Sequence, residues 1–245
     1  MIMIIYGRTV KGPVRVQNED SLYIDEKKRI WAVADGMGGH TGGAVASHLA
    51  VKYVAEYFSK KIITEPENDL KKVFQTINQL IKENQKKDQN LKEMGTTLTL
   101  GIVRHNYLYI GHIGDSRAYV FRKDKLLKLT QDHTYVAKMI SQGVLNEEEA
   151  QTHPYRHLLI KALDGAHDEV DIIKFKVQPQ DMFIFCTDGL LDGLSEAEIK
   201  DIILNNFVNL EKLVEILIEK SIAQGSRDNI TVVAALYDQE SEVKK

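Results

Sequence analysis

The chain has 245 residues, of which 43% are hydrophobic and 27% charged, a composition typical of a folded globular protein with a substantial core. Its formal net charge is −3, with 32 basic and 35 acidic residues mixed along the sequence. This balance excludes the one-sided basic field that nucleic acid binding requires, and a single cysteine, Cys186, excludes both an intrachain disulfide and a thiolate zinc cluster.

The sequence predicts neither a membrane span nor a division into domains. A bilayer-crossing helix needs about 18 to 20 apolar residues, whereas the apolar run at the amino terminus has only five. No stretch rich in Pro, Ser or Gly interrupts the chain, so one domain over residues 1–245 is expected. We therefore expect a cytoplasmic monomer that binds neither membrane nor nucleic acid.

Short segments rich in β-branched and aromatic residues alternate with segments of helical period. Strands are predicted at residues 30–34, 98–103, 107–113, 118–121, 172–177, 182–186 and 230–236. Helices are predicted over 45–58, 70–81 and 210–218, and Ser195 with Glu198 forms the pattern of a capping box. Because the strands come in adjacent pairs, antiparallel sheets with helices packed outside them are favoured, which is an α+β fold.

Acidic residues lie beside predicted strands at four separate places. Asp35, Asp115 and Asp188 each follow a strand, and Asp228 lies just before one. Each Asp next to a Gly or Ser is by itself an ordinary turn residue, but strand ends hold side chains rigidly where several can converge. Oxygen ligands without His or Cys pairs favour Mg²⁺ or Mn²⁺. Arg15 is the candidate to hold a phosphate beside such a site.

The glycine-rich stretch that follows the first strand is interpreted as a metal-binding loop. A dinucleotide fingerprint starting at Gly36 requires a third glycine where the chain has Thr41, and a Walker A motif requires a lysine where Gly43 is followed by Ala44. Neither nucleotide-binding motif is present. Cys186 is followed by acidic residues rather than by an arginine, so we interpret it as a core residue.

Eight sequence motifs together indicate a known family. They are VRVQNEDS, VADGMGGHTGG, MGTTL, IGDSRAY, LTQDH, HPYRHLLIKAL, CTDGL and SRDNITVV. In order and spacing they resemble bacterial metal-dependent protein phosphatases of the type 2C (PPM) serine/threonine family, from about residue 7 to 237. The resemblance implies an α-β-β-α sandwich, in which pairs of helices flank two mostly antiparallel sheets.

The activity that the resemblance implies is hydrolysis of phosphoserine and phosphothreonine monoesters by metal-activated water. It implies a dinuclear Mn²⁺ or Mg²⁺ site at one end of the sandwich, with a looser third site. The implied partners are phosphorylated proteins, among them a serine/threonine kinase and its targets. Catalysis by such a site is mainly positioning and charge neutralisation.

The resemblance also implies roles for individual residues around the first metal. Asp35 resembles the carboxylate that bridges both ions, and Gly36 resembles a ligand that acts through its carbonyl. Asp188 and Asp228 resemble ligands of the first metal. Asn229 is similar to the residue that steadies the last of these acids.

Further residues resemble those around the other metals and the phosphate. Glu19 and Asp20 resemble the acids that hold the second metal directly or through water. Asp115, together with Asp188, resembles the third site. Arg15 stands in the place of the phosphate-binding arginine.

The residue that protonates the leaving group differs from that of the animal relatives. Those relatives have a histidine directly after the Asp-Gly pair, where this chain has Met37. His40, three residues further on, is the nearest candidate for the general acid. The alternative is that His40 orders the loop and a metal-bound water supplies the proton.

Residues from about 130 to 165 correspond to the mobile flap of the family, beside the site. His153, Arg156 and His157 within it either contact substrate or only fix the loop. Two other functions remain open: a regulatory binding module without catalysis, and a small-molecule phosphomonoesterase. The presence of all the principal acids favours the enzyme; they are Asp20, Asp35, Asp115, Asp188 and Asp228.

Overall fold

A computed structural model describes residues 2–38, 41–167 and 169–238. The strands are β1 (Ile2–Val10), β2 (Asp20–Asp25), β3 (Ile30–Met37), β4 (Gly95–Thr96), β5 (Leu98–Arg104), β6 (Tyr107–Ile113), β7 (Arg117–Arg122), β8 (Lys125–Lys128), β9 (Asp171–Lys176), β10 (Asp181–Cys186) and β11 (Ile230–Asp238). The helices are α1 (Gly42–Ser59), α2 (Pro66–Lys87), α3 (Tyr135–Ser141), α4 (Glu147–Gln151), α5 (Gly189–Gly193), α6 (Glu196–Asn206) and α7 (Leu210–Ala223). Among the residues described, no helix is long and apolar enough to cross a membrane.

Two antiparallel sheets face each other in the middle of the molecule. The first sheet has the strand order β1-β11-β10-β7-β8, and the second has the order β2-β3-β5-β6-β9, with β4 paired to β3. Trp31 of β3 packs between the sheets, with its ring centroid 6.2 Å from that of Phe183 and 5.3 Å from that of Phe185. These aromatic contacts bury large apolar areas and fix how the sheets stack.

Helices cover the outer face of each sheet. Apolar residues of α1 and α2 pack on the second sheet, and apolar residues of α5, α6 and α7 pack on the first. The spacing of buried residues along α2, such as Leu70, Phe74, Ile77 and Ile81, gives it one apolar face toward the sheet. The predicted α-β-β-α sandwich is confirmed.

The predicted elements are confirmed, and the structure extends them. Each of the seven predicted strands is present, and the three predicted helices are α1, α2 and α7, each longer than the sequence pattern indicated. Ser195 and Glu198 form the predicted capping box, since each side chain accepts a hydrogen bond from the backbone N–H of the other. Strands β1, β2, β4 and β8 were not among the predicted ones.

A buried ion pair fixes the end of the sandwich where β10 begins. Arg122 donates from Nε to Oδ1 of Asp181 at 2.7 Å and from Nη2 to Oδ2 at 2.6 Å. The Asp181 side chain is fully buried and also accepts from the backbone N–H of Gln178 at 2.7 Å. The guanidinium lies 4.7 Å from the ring centroid of Phe175. Because the acidic motif CTDGL follows the other end of β10, this pair stabilises the fold without touching the acids.

We expect Asp181→Ala to lower the free energy of unfolding by about 3 kcal/mol, because it leaves Arg122 without its carboxylate partner. Urea denaturation of the purified variant measures this loss. Glu169→Ala, which removes the partner of Lys161 from an exposed pair, serves as control and should leave the denaturation midpoint nearly unchanged. Equal losses in the two variants would contradict the assigned stabilising role of the buried pair.

Candidate metal centre

A cavity of about 1040 Å³ opens at one end of the sandwich, where both sheets end. Its acidic lining residues are Glu19, Asp35, Asp115, Asp188, Asp192 and Asp228. Arg15, Gly36 and Asn229 line it as well. The structure therefore brings together every predicted site residue that it describes, with Asp20 buried beside them. His40 lies outside the described residues.

Strand register places the first two acids beside each other. Asp20 at the start of β2 pairs directly with Asp35 near the end of β3 in the antiparallel ladder. Residues paired across two strands present their side chains on the same face of the sheet. Asp188 follows β10 and Asp228 precedes β11 in the other sheet, so the two sheets contribute acids from opposite sides.

Asp20 is held by one carboxylate oxygen only. Its Oδ2 accepts hydrogen bonds from Thr187 Oγ1 at 2.8 Å and from Thr231 Oγ1 at 2.7 Å. Its Oδ1 is buried and has no hydrogen-bond partner among the described residues. Burial first, and the nearby charges of Asp188 and Asp228 next, raise the pKa of Asp20 to about 7.

Asp35 is fixed through its backbone, while its carboxyl group lies among other acids. Its N–H donates to Thr97 Oγ1 at 2.9 Å, and its carbonyl accepts from the Thr97 N–H at 2.8 Å. Burial raises the pKa of Asp35 well above its usual value, and the charges of Asp20, Asp188 and Asp115 add to this effect. The strand thus holds the carboxyl group where its ionised form is strongly disfavoured.

Asp115 and Asp188 show opposite shifts of pKa in the same cavity. Burial and the charge of Asp188 raise the pKa of Asp115 to about 8. Burial also acts to raise the pKa of Asp188, but the neighbouring imidazole of His157 and carboxyl group of Asp35 outweigh it and lower that pKa. Asp188 Oδ1 is a second buried carboxylate oxygen with no partner in the described part of the chain. The cluster therefore holds unequal carboxyl groups, as interacting sites do.

Arg15 compensates one of the acids at the cavity mouth. Arg15 donates from Nη2 to Oδ2 of Asp228, and its side chain is 47% exposed. The backbone N–H of Asn229 donates to Oδ1 of the same acid at 2.7 Å. The Asn229 side chain accepts instead from the backbone N–H of Glu19 at 2.8 Å and so ties β2 to the start of β11.

Gly36 lies where no side chain fits. A Cβ atom built on it would be 2.1 Å from the carbonyl oxygen of Gly43 and 2.6 Å from that of Glu19. The Gly36 N–H donates to that Glu19 carbonyl at 3.1 Å. The first turn of α1 can pack this closely against β3 only because both Gly36 and Gly43 lack a side chain.

The donors at this site fit hard divalent cations. Six carboxyl groups and two guanidinium groups line the cavity, so four negative charges are left over when these six acids are ionised, and the buried Asp20 beside them adds a fifth when it is ionised. Divalent cations would neutralise this excess. Oxygen donors, two of them buried and unpaired, are the ligands that Mg²⁺ and Mn²⁺ prefer.

The present arrangement of these side chains is closed. As they lie in this structure, no three His, Cys, Asp or Glu side chains among the described residues form a group that could hold a metal ion. One of the acids, Asp228, is bonded to Arg15. The site therefore fits divalent cations by the chemistry of its donor atoms and by its net charge.

Several residues at the site were not assigned by the sequence interpretation. Thr97, Thr187 and Thr231 hold the acids, and Arg227 lines the cavity. Thr97 and Thr187 could have been predicted from the sequence, because each lies next to the end of a predicted strand and Thr187 directly precedes Asp188. Thr231 lies within β11 and is recognisable only from the sheet pairing.

The flap histidine His157 lies in the cavity. Its Nδ1 is 3.6 Å from Asp188 Oδ2, and its Nε2 is 4.0 Å from Asp192 Oδ1. The neighbouring Asp188 carboxylate raises the pKa of His157. His153, by contrast, stacks with Tyr135 and Tyr155 of the flap, at 6.4 and 5.7 Å between ring centroids. His157 therefore contacts the site, and His153 fixes the loop.

Comparison with known proteins identifies similar chains. The sequence profile of a family described as protein phosphatase 2C matches residues 15–224. The serine/threonine phosphatase stp of Listeria innocua serovar 6a is 35% identical over 235 residues, which cover 92% of each chain. The serine/threonine protein phosphatase PstP of Mycobacterium tuberculosis is 34% identical over 239 residues, 96% of this chain and 45% of that protein.

Solved structures are similar over almost the whole fold. The crystal structure of the Mycobacterium tuberculosis serine/threonine phosphatase PstP/Ppp matches with a TM-score of 0.92 and 33% identity, over 98% of this chain and all of that chain. The catalytic domain of PstP in complex with two manganese ions matches with a TM-score of 0.88 and 33% identity, over 97% of this chain and 99% of that chain.

The raised pKa values of the acids predict how stability depends on pH when no metal is bound. The folded pKa values of Asp20 and Asp115, about 7 and about 8, lie above the ordinary value of 3.8, so the folded state holds protons that the unfolded state releases. Stability is therefore greatest below pH 4 for these groups and is lost as the pH rises toward 8.

We expect the free energy of unfolding in EDTA to fall by about 2 kcal/mol between pH 6.5 and pH 8.5. Urea denaturation at several pH values measures this slope. Asp115→Asn should make the slope shallower, because it removes one of the titrating groups. Stability that stays constant or increases over this pH range would contradict the assignment.

Proposed function

Because the chain belongs to the protein phosphatase 2C family, we propose that it hydrolyses phosphoserine and phosphothreonine of proteins in this cavity, with two Mn²⁺ or Mg²⁺ ions. The observation that supports the proposal most strongly is the group of buried carboxyl groups with unpaired oxygens beside an exposed guanidinium. Such a group destabilises the protein unless cations neutralise it. Stability sacrificed in this way is typical of functional sites.

The proposed ligands of the two principal ions come from both sheets. Asp35 would contribute to holding both ions, and the carbonyl of Gly36 would be a further ligand. Asp188 and Asp228 would hold one ion. The unpaired Oδ1 of Asp188 supports this role.

The second ion and a looser third ion would be held by the remaining acids. Glu19 and Asp20 would hold the second ion directly or through water, and the unpaired Oδ1 of Asp20 supports a direct contact. Asp115 with Asp188 would hold the third. Asn229 supports both sheets at this point, because it binds Asp228 through its N–H and Glu19 through its side chain.

The chain's own residues bind and orient the phosphate and protonate the leaving group. When bound, the divalent ions supply Lewis-acid activation of water and neutralise charge on the phosphate. Arg15 has five N–H donors, of which the bond to Asp228 uses one, so the exposed side of its guanidinium can clamp phosphate oxygens. We assign the proton donor to His40, which follows Met37 by three residues.

The substrates are phosphorylated proteins rather than small phosphomonoesters. The cavity is larger than a phosphoserine side chain requires, and exposed apolar residues line it at Val14 and Leu158, where they can contact residues next to the phosphate. A serine/threonine kinase of the same cell is the proposed counterpart. We also propose that the chain acts as one domain, residues 1–245 with a flap at about 130–165, and as a monomer in the cytoplasm.

A binding module without catalysis is a less well supported interpretation. A domain that only binds a partner has no need to crowd five acids together against their mutual repulsion, and substitution of any of them by a neutral residue would relieve it. Here the five principal acids are all retained. The acids together with Arg15 form a complete set for handling phosphate.

We expect the purified protein to hydrolyse p-nitrophenyl phosphate and a phosphothreonine peptide when Mn²⁺ is added, and EDTA to abolish both activities. Asp35→Asn should lower kcat by roughly 100-fold or more, because it removes charge from the metal centre. Asp201→Asn, an acid on the exposed face of α6, is the matched control and should keep full activity. A wild type that stays inactive with Mn²⁺ supports the binding module instead.

The proton donor is tested by comparing leaving groups. His40→Ala should reduce turnover of a phosphoserine peptide roughly 100-fold and of p-nitrophenyl phosphate much less, because nitrophenolate leaves without protonation. His157→Ala provides the comparison, since His157 is the flap imidazole that lines the cavity. Equal losses of His40→Ala on both substrates would reject its assignment, and a selective loss in His157→Ala would transfer the role to that residue.

A further inference from the structure

The base of the flap is joined to the turn that carries Asp115 by a buried histidine. His133 follows the motif LTQD and is 7% exposed. Its backbone N–H donates to the Gly114 carbonyl at 2.8 Å, and its Nδ1 accepts from the Gly114 N–H at 3.1 Å. Both polar backbone groups of Gly114 are thus bonded to this one residue.

The hydrogen bonds determine which nitrogen of His133 carries the proton. A backbone N–H can only donate, so Nδ1 of His133 must be the unprotonated acceptor. Nε2 therefore carries the hydrogen and donates to Oδ2 of Asp171 at 3.2 Å. Asp171 at the start of β9 orients the ring in this way, as a carboxylate orients a functional imidazole.

A second histidine holds the same connection from the other side. His112 of β6 is fully buried, its ring centroid lies 5.0 Å from that of His133, and its Nε2 donates to the Gln131 carbonyl at 3.0 Å. Strand β6 thus binds the flap base through His112 and Gln131, and the flap base binds the turn after β6 through His133 and Gly114. The two contacts are reciprocal.

The Gly114 turn packs against Thr97 on the side away from His133. Gly114 has φ of +107°, and a Cβ atom on it would be 2.5 Å from the side chain of Thr97. Thr97 in turn bonds Ser116 Oγ at 2.7 Å and Asp35 N at 2.9 Å. The turn is therefore held between Thr97 on one side and His133 on the other.

We propose that His133 is a positioning residue that sets the place of Asp115 through Gly114 and couples the flap base to metal binding at Asp115. The proposal rests on the proposed function in one respect, that Asp115 is a metal ligand. Displacement of the flap base removes the acceptor from Gly114 and shifts the following carboxylate. By linkage, whatever orders the flap base also strengthens metal binding at Asp115.

The test uses variants that separate the hydrogen bond from the bulk of the ring. His133→Asn keeps an acceptor, because its Oδ1 takes the position of Nδ1, whereas His133→Leu has similar bulk and no acceptor. Asp171→Ala releases the ring from its orientation at a half-exposed site where folding is not at risk. His167→Leu, which removes an exposed histidine bonded to Asp164, is the control.

Two measurements are made on the whole chain. Amide hydrogen exchange of Gly114 is followed by NMR in EDTA, and Mn²⁺ binding is followed by equilibrium dialysis. For His133→Leu we expect Gly114 to exchange roughly tenfold faster relative to other core amides and the weakest-bound Mn²⁺ to bind roughly tenfold less tightly. Asp171→Ala should shift both in the same direction by about threefold. His133→Asn and the control should stay close to wild type.

The outcomes are distinguishable from failure of the proposed function. A wild type that binds no Mn²⁺ overturns the proposed function and this inference together. If the wild type binds Mn²⁺ but His133→Leu and His133→Asn do not differ in Gly114 exchange or in Mn²⁺ affinity, only the inference is overturned. Faster exchange of Gly114 without weaker Mn²⁺ binding also overturns it, because His133 would then have a purely structural role. If His133→Leu does not fold, Asp171→Ala decides by the same two measurements.

Discussion

The mutual repulsion of buried carboxyl groups at one end of the sandwich is the constraint on which the arrangement of this protein depends. Burial alone raises the pKa of a carboxyl group, and each neighbouring acid raises it further. Flexible loops would let such groups move apart. Here the groups stand at the ends of strands whose other ends are fixed by a large core, in which Trp31 packs against Phe183 and Phe185. The free energy that holds the acids together thus comes from residues far from them.

Hydroxyl and amide groups carry this constraint from one sheet to the other. Asp20 belongs to the second sheet, yet its hydrogen bonds come from Thr187 and Thr231 of the first sheet. Asn229, from the first sheet, binds the backbone of Glu19 in the second. The site is therefore complete only when the two sheets are packed. Cations that bind here stabilise the packed state, because ligands that bind only the native state shift folding toward it.

The sequence predicts local features well and contacts between distant segments poorly. Apolar alternation identified the strands that carry Asp35 and Asp188, since each is a short run bounded by turn residues. Strand β1 was not predicted, because its place depends on pairing with β11, more than 200 residues away. The same holds for Thr231 and His133, whose roles follow from partners in other strands. The acids were predictable because a turn can also be formed by Asn, Ser or Gly, whereas in this chain the residue next to the strand is Asp each time.

The flap contacts the acids of the cavity at two places. Metal ligands recognise phosphate, which is the same in every phosphorylated protein, so discrimination among proteins must come from the surface around them. The flap supplies part of that surface through Leu158, and His157 from the same segment lies against Asp188. At its base the flap holds the turn of Asp115 through His133. If His133 positions Asp115 as proposed, a protein that orders the flap on binding would also order the proposed third metal site, so that recognition of the protein and readiness for catalysis would share one equilibrium.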